Sequence, residues 1–144
     1  MALKHILKLT EGEAIIKCYR NDSNGGTIDI SLQNDLTRSN EVYVPGFSKV
    51  SIRAIYWGTK QNKQLDIVRI VPDDITGVHS HYYFANTGSY EFQGFVDNIY
   101  AENDIRVIGD GAFHVIFVLS KSGWNNKIET WAYGPYDNIN AVGS

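Results

Sequence analysis

Imidazoles, carboxylates and one thiol are the groups in this chain with chemistry to offer, and their spacing decides how much. His79-Ser80-His81 sets two imidazoles two residues apart, so on a strand both leave the same face and can share one metal ion. A zinc site needs a third protein ligand, and no further group stands at a spacing that declares it. The favoured reading is a pair of surface histidines beside Tyr82, Tyr83 and Phe84. Asp97, Glu102, Asp104 and Asp110 form the densest acidic group, an oxygen-rich set of the type that suits calcium. The group lacks the Asp-x-Asp-x-Asp-Gly order of a calcium loop and reads as a solvated acidic face. Paired carboxylates also perform glycoside hydrolysis, but a bare sequence does not fix the separation such a dyad requires.

His114, between Phe113 and Val115, has no companion serine in a Gly-x-Ser-x-Gly turn and is expected to be a core or interface histidine bonded to a carbonyl. Gly109-Asp110-Gly111 joins two strand-like runs and opens no helix, so it is not a phosphate loop. Cys18 lies among apolar neighbours and reads as a small buried core residue rather than a reactive thiol. The expectation is a protein without catalytic residues, metal or cofactor, and not an enzyme.

The elements that must carry these groups are strands. Ile105 to Ile108 and Ala112 to Leu119 are β-branched and aromatic runs on either side of Gly109-Asp110-Gly111, which predicts a β-hairpin. Glu13 to Arg20, the turn Ser23 to Gly26 and the alternating Thr27 to Leu32 predict a second hairpin, with Ile28, Ile30 and Leu32 inward. Leu3 to Leu9 has weak helical spacing, but its alternation and the following Glu11-Gly12 favour a strand. Ser48 to Trp57 predicts a long strand with Val50, Ile52, Ala54 and Tyr56 on one face and Ile55 and Trp57 on the other. Further strands are expected at Glu41–Val44, Gln64–Val71, His79–Ala85, Tyr90–Phe95 and Lys127–Tyr133. Nine to eleven short strands without crossover helices predict an all-β fold, an antiparallel β-sandwich or jelly-roll-like domain with extended terminal arms. The expected organisation is one domain over residues 1–144, with residues 1–10 an N-terminal arm or strand and 134–144 an extended tail.

The totals narrow the function classes. A chain of 144 residues can bury a self-sufficient core, and 43% hydrophobic against 20% charged residues excludes wholesale disorder. Thirteen basic and sixteen acidic residues give a net charge of −3 with no basic block, which disfavours nucleic acid and anionic membranes as partners. A single cysteine permits no intrachain disulfide. The Met1-Ala2-Leu3-Lys4 start lacks signal-peptide architecture, and the longest apolar run, Ala112 to Leu119, is too short to span a bilayer. The aromatic residues are the remaining lead. Trp124, Trp131, Tyr133 and Tyr136 cluster toward the C-terminal end, where core packing, a protein interface and stacking on sugar rings are all open to them.

Three stretches carry a resemblance: Thr27 to Leu36, Asn98 to Gly111 and Lys127 to Trp131. With them the chain resembles small structural virion proteins of tailed bacteriophages, particularly those infecting marine cyanobacteria. The resemblance implies an uncleaved protein made in the host bacterial cytoplasm and built into the virion in many copies. Its implied partners are other virion proteins, such as the major capsid protein or a neck or tail protein. The resemblance implies a homo-oligomer that binds protein alone, neither nucleic acid nor membrane, and head-decoration proteins in particular are often trimeric. A head-decoration (cement) protein fits best, with a neck or tail component close behind. No site residues are carried over, because the resemblance contains no motif that assigns them. The alternative is a carbohydrate-binding, receptor-binding β-sandwich module, with Trp124, Trp131 or Tyr136 as stacking platforms beside Asn125, Asn126 and Asp137.

Overall fold

The structure, a computed structural model, describes residues 2–71 and 78–127. Their strands are β1 (Ala2–Leu9), β2 (Glu13–Arg20), β3 (Gly26–Ile30), β4 (Glu41–Val42), β5 (Lys49–Thr59), β6 (Gln64–Ile70), β7 (Val78–Ala85), β8 (Thr87–Glu91), β9 (Ile105–Gly109), β10 (Phe113–Ser122) and β11 (Asn125–Asn126). One short helix, α1 (Leu32–Asp35), follows β3. A five-stranded sheet runs β1-β2-β10-β5-β8 and a four-stranded sheet runs β3-β9-β6-β7, with β4 and β11 as a separate pair. All pairings are antiparallel. The all-β, sandwich-like class expected from the alternation is the class observed. Among the described residues no helix is long and apolar enough to cross a membrane.

Neither predicted hairpin forms. β2 pairs with β1 and β10, while β3 pairs with β9, so the Ser23–Gly26 joint leads from one sheet to the other. The Gly109–Gly111 joint does the same between β9 and β10. The two sheets list these segments in matching order: β2 with β3, β10 with β9, β5 with β6, and β8 with β7. Four chain segments therefore bend together at one corner, as if a single four-ribbon sheet were folded over on itself. Strands that switch sheets at a bend are a known way of making such corners. The glycines serve the bend. Gly25 has φ +72°, and a Cβ built on it would lie 2.2 Å from the Gly109 carbonyl oxygen, so the β2–β3 and β9–β10 corners touch. Alternation was a sound guide to which residues face inward, but both halves of a bent segment face the same core and pair with the neighbouring segment instead of each other.

Two other local differences have clear causes. β5 carries a bulge at Arg53, since Leu119 pairs with Ile52 and Val118 with Ala54. The extra residue exchanges the faces beyond it. Ile55 is thus fully buried and Tyr56 is exposed, the reverse of the uninterrupted alternation. After Ile30, Ser31 caps α1 by accepting the Asn34 N–H at 3.0 Å, and its own N–H donates to the Asp35 carboxylate at 2.7 Å. Leu32 is therefore a buried helical residue rather than the end of a strand.

The core lies between the sheets and includes Ile16, Ile30, Ile55, Leu65, Ile105 and Phe117, each fully buried. Cys18 belongs to it, and burial pushes its thiol up to about 12. Lys4 ties β1 across to the edge of the four-stranded sheet, donating to the Asp29 carbonyl and the Asp35 carboxylate, both at 2.9 Å. The segment expected to be an arm or strand is thus the edge strand of the larger sheet. Trp131, Tyr133, Tyr136, most of the expected Lys127–Tyr133 strand and the 134–144 tail lie outside the described residues.

Candidate functional site

The strongest candidate surface is the outer face of the five-stranded sheet. In β2, Ala14, Ile16 and Cys18 point into the core, so Ile15, Lys17 and Tyr19 point out; in β10, Val115, Phe117 and Leu119 point in, so His114, Ile116 and Val118 point out. The register sets these in rows. Val118 stands opposite Ile15 and Ala54, Ile116 opposite Lys17 and Tyr56, and His114 opposite Tyr19 and Gly58. The middle of the face is therefore an apolar patch with Tyr56 at its margin, where the Tyr56 hydroxyl bonds to Glu91 and that bond raises the phenol above its ordinary range.

A concavity flanks each end of this patch. At the far end, about 640 Å³ lies between Arg53, Tyr56, Glu91, Val118 and the loop at Phe92–Val96. At the corner, about 790 Å³ is lined by groups that include Lys17, Tyr19, Lys60, His114 and Ile116. Arg20 and His5 also line it, and no carboxylate does. Arg20 is bound to Asp22 at 2.9 Å, whereas Lys17 and Lys60 have no carboxylate partner among the described residues. His5 stacks on the Tyr19 ring, with centroids 5.7 Å apart and planes at 11°, and the Lys17 ammonium lies 5.7 Å from the same ring. Gly58 gives the His114 imidazole its place, because a Cβ there would stand 2.4 Å from His114 Cε1. His114 is exposed on this face and is not a core histidine, as the alternation through Val115 and Phe117 requires.

The expected acidic face is divided. Asp97, Glu102 and Asp104 act on Arg69, which is 3% exposed and donates to the carbonyls of Asn103 and Val50, both at 2.7 Å. Burial pulls this guanidinium down to about 10, against the opposing pull of the three carboxylates. Asp104 also accepts the Leu32 N–H, and Asp97 accepts the Ile99 N–H and the Tyr82 hydroxyl. Asp110 sits apart at the corner, accepting the Gln64 N–H at 2.7 Å. Among the described residues no group of three or more His, Cys, Asp and Glu could hold a metal ion. His79 and His81 occupy β7, but their side chains lie outside the described residues.

A buried ion pair was not foreseen. Lys121 donates to Glu41 at 2.8 Å with side chains 0% and 1% exposed, and to the Thr10 carbonyl at 3.0 Å. Burial pushes the Glu41 carboxyl up, but Lys121 together with the Arg38 N–H and guanidinium hold it below its ordinary range. The signal was present in the alternation, since Lys121 continues the inward series Val115, Phe117, Leu119. Trp124 belongs to this network. Its Nε1–H donates to Thr37 at 2.7 Å, the Lys121 ammonium lies 4.7 Å from its ring, and Tyr43 packs at 6.1 Å. Trp124 is thus half-buried packing, while Asn125 and Asn126, its expected polar companions, form β11 against β4.

This face offers apolar contact, aromatic edges and two lysines without carboxylate partners among the described residues. Comparison with models of known protein families finds no match, and comparison with curated protein sequences finds none.

Proposed function

We propose that the protein is a structural assembly subunit that packs against other protein subunits through the outer face of its five-stranded sheet. The observation that carries this reading is the apolar patch of half-buried Ile15, Ile116 and Val118, with buried Ala54 beside Val118, on the side of the sheet opposite the core. Large apolar groups extend it toward its ends, with Leu7 56% and Phe95 74% exposed. Contiguous exposed apolar area rimmed by polar residues marks association surfaces. With the resemblance to small phage virion proteins, the proposed place of assembly is the virion, as a head-decoration protein or a neck or tail component.

The test is the protein content of density-banded particles, read by mass spectrometry. The wild-type chain should band with the particles in many copies. Val118→Asp, which puts a charge in the middle of the patch without touching the core, should fold and remain unbound. Absence of the wild-type chain from the particles, or undiminished binding by Val118→Asp, overturns the proposal.

A further inference from the structure

We propose that copies of this chain associate head to tail, with the loop at residues 92–104 of one copy seated in the corner concavity of the next. The inference rests on the assembly reading above and names one partner, a second copy. The loop carries three large exposed apolar side chains, Phe95, Val96 and Ile99, at 74%, 43% and 57%. It also carries half-buried Asp97, Glu102 and Asp104 against the single guanidinium of Arg69. Asp97 and Asp104 already accept hydrogen bonds within the chain, so the loop contributes net negative charge rather than free carboxylates. The concavity is its complement. It offers Lys17 and Lys60 without carboxylate partners among the described residues, and apolar contact from Leu7, Tyr19 and Ile116.

Position excludes docking within one chain. The loop is fastened at one end of β5, where Phe92 N–H donates to the Arg53 carbonyl at 3.1 Å and Val50 N–H donates to the Ala101 carbonyl at 2.9 Å. The concavity borders the other end of β5 at Gly58 and Thr59. Six strand steps from Ile52 to Gly58 separate the two by about 20 Å. Ile116, Val118 and Tyr56 lie between them, so a second copy reaching the concavity would cover the apolar patch. The two contact patches are different surfaces of one molecule. Such a contact is heterologous and propagates into a ring or a filament rather than closing as a two-fold pair. A sugar is the weaker occupant, because His5 already covers a face of the Tyr19 ring.

The experiment is sedimentation velocity on the full chain and two exposed-surface variants. One is Lys17→Glu/Lys60→Glu, which spoils the concavity; the other is Phe95→Lys/Ile99→Lys, which spoils the loop. The wild type should sediment above the single-chain mass, and each variant alone should self-associate roughly tenfold or more weakly. Mixing the variants should give a one-to-one complex, since one intact loop and one intact concavity remain between them. That complex also shows that both variants are folded. A monomeric wild type, a variant that associates like wild type, or a mixture that stays monomeric overturns the inference. The broader reading is judged separately: a chain that is monomeric in solution but still bands with particles through Val118 keeps the assembly role and loses the head-to-tail contact.

Discussion

Replacing Lys121 by Met removes a charge and keeps a side chain of similar length. In the wild type the ammonium is fully buried and bonds to Glu41 and the Thr10 carbonyl. The variant leaves Glu41 in the interior with the Arg38 N–H at 2.9 Å and the Arg38 guanidinium at 3.4 Å. Breaking one side of a buried pair costs about 3–5 kcal/mol, and the remaining Arg38 contacts place this case near 3 kcal/mol. Lys121→Met/Glu41→Gln removes both charges and should cost only about 1 kcal/mol, so the two changes are strongly non-additive. Equilibrium urea unfolding followed by tryptophan fluorescence measures both values. Acid supplies a second check. The folded carboxyl titrates below the ordinary 4.5, so its stabilising contribution is present above that value and is lost as pH falls through the folded pKa. Below 4.5 the penalty of Lys121→Met should therefore shrink. A Lys121→Met cost under about 1 kcal/mol at neutral pH, or single costs that simply add in the double variant, would refute the assignment of a coupled buried pair.

Gly25→Ala forces a side chain into φ +72° and sets its Cβ against the Gly109 carbonyl, so it should destabilise by on the order of 3 kcal/mol in chemical denaturation. A change below about 0.5 kcal/mol would mean that the two corners do not touch. Cys18, with its thiol raised to about 12 by burial, should resist iodoacetamide in the native protein and react only on unfolding. Labelling at the rate of a free thiol under native conditions would contradict its place in the core.

The class of fold was legible because period-two alternation records which side of a strand is buried. Ile16, Ile30, Phe117 and Leu119 all lie in the core as their spacing indicates. Connectivity was not legible in the same way. Gly25 and Gly109 look like hairpin glycines, but a hairpin and a sheet-to-sheet corner make the same local demand for a sharp bend. The choice between them depends on contacts between distant segments, such as Gly26 with Gly109. The bulge at Arg53 is likewise a product of pairing with β10, and it reversed the faces of Ile55 and Tyr56.

For the candidate surface, the residues could be seen but not their gathering. Ile15, Lys17 and Tyr19 were the outward half of an alternation, yet their meeting with His114, Ile116 and Tyr56 required the order β2-β10-β5. The acidic residues group as a face in the sequence because nothing local points Arg69 toward them from some thirty residues away in the chain. Of the four aromatic candidates, Trp124 packs on Lys121 and Tyr43, while Trp131, Tyr133 and Tyr136 lie outside the described residues.

Amine labelling of the full chain over a concentration series, read by peptide mass spectrometry, bears most directly on the outer face as a subunit interface. Lys17 and Lys60 border the corner concavity, while exposed Lys127 follows β11 and serves as the internal control. Labelling of Lys17 and Lys60 should fall as the protein is concentrated and return on dilution, with Lys127 unchanged. Equal labelling of all three lysines at every concentration would contradict the head-to-tail use of this face.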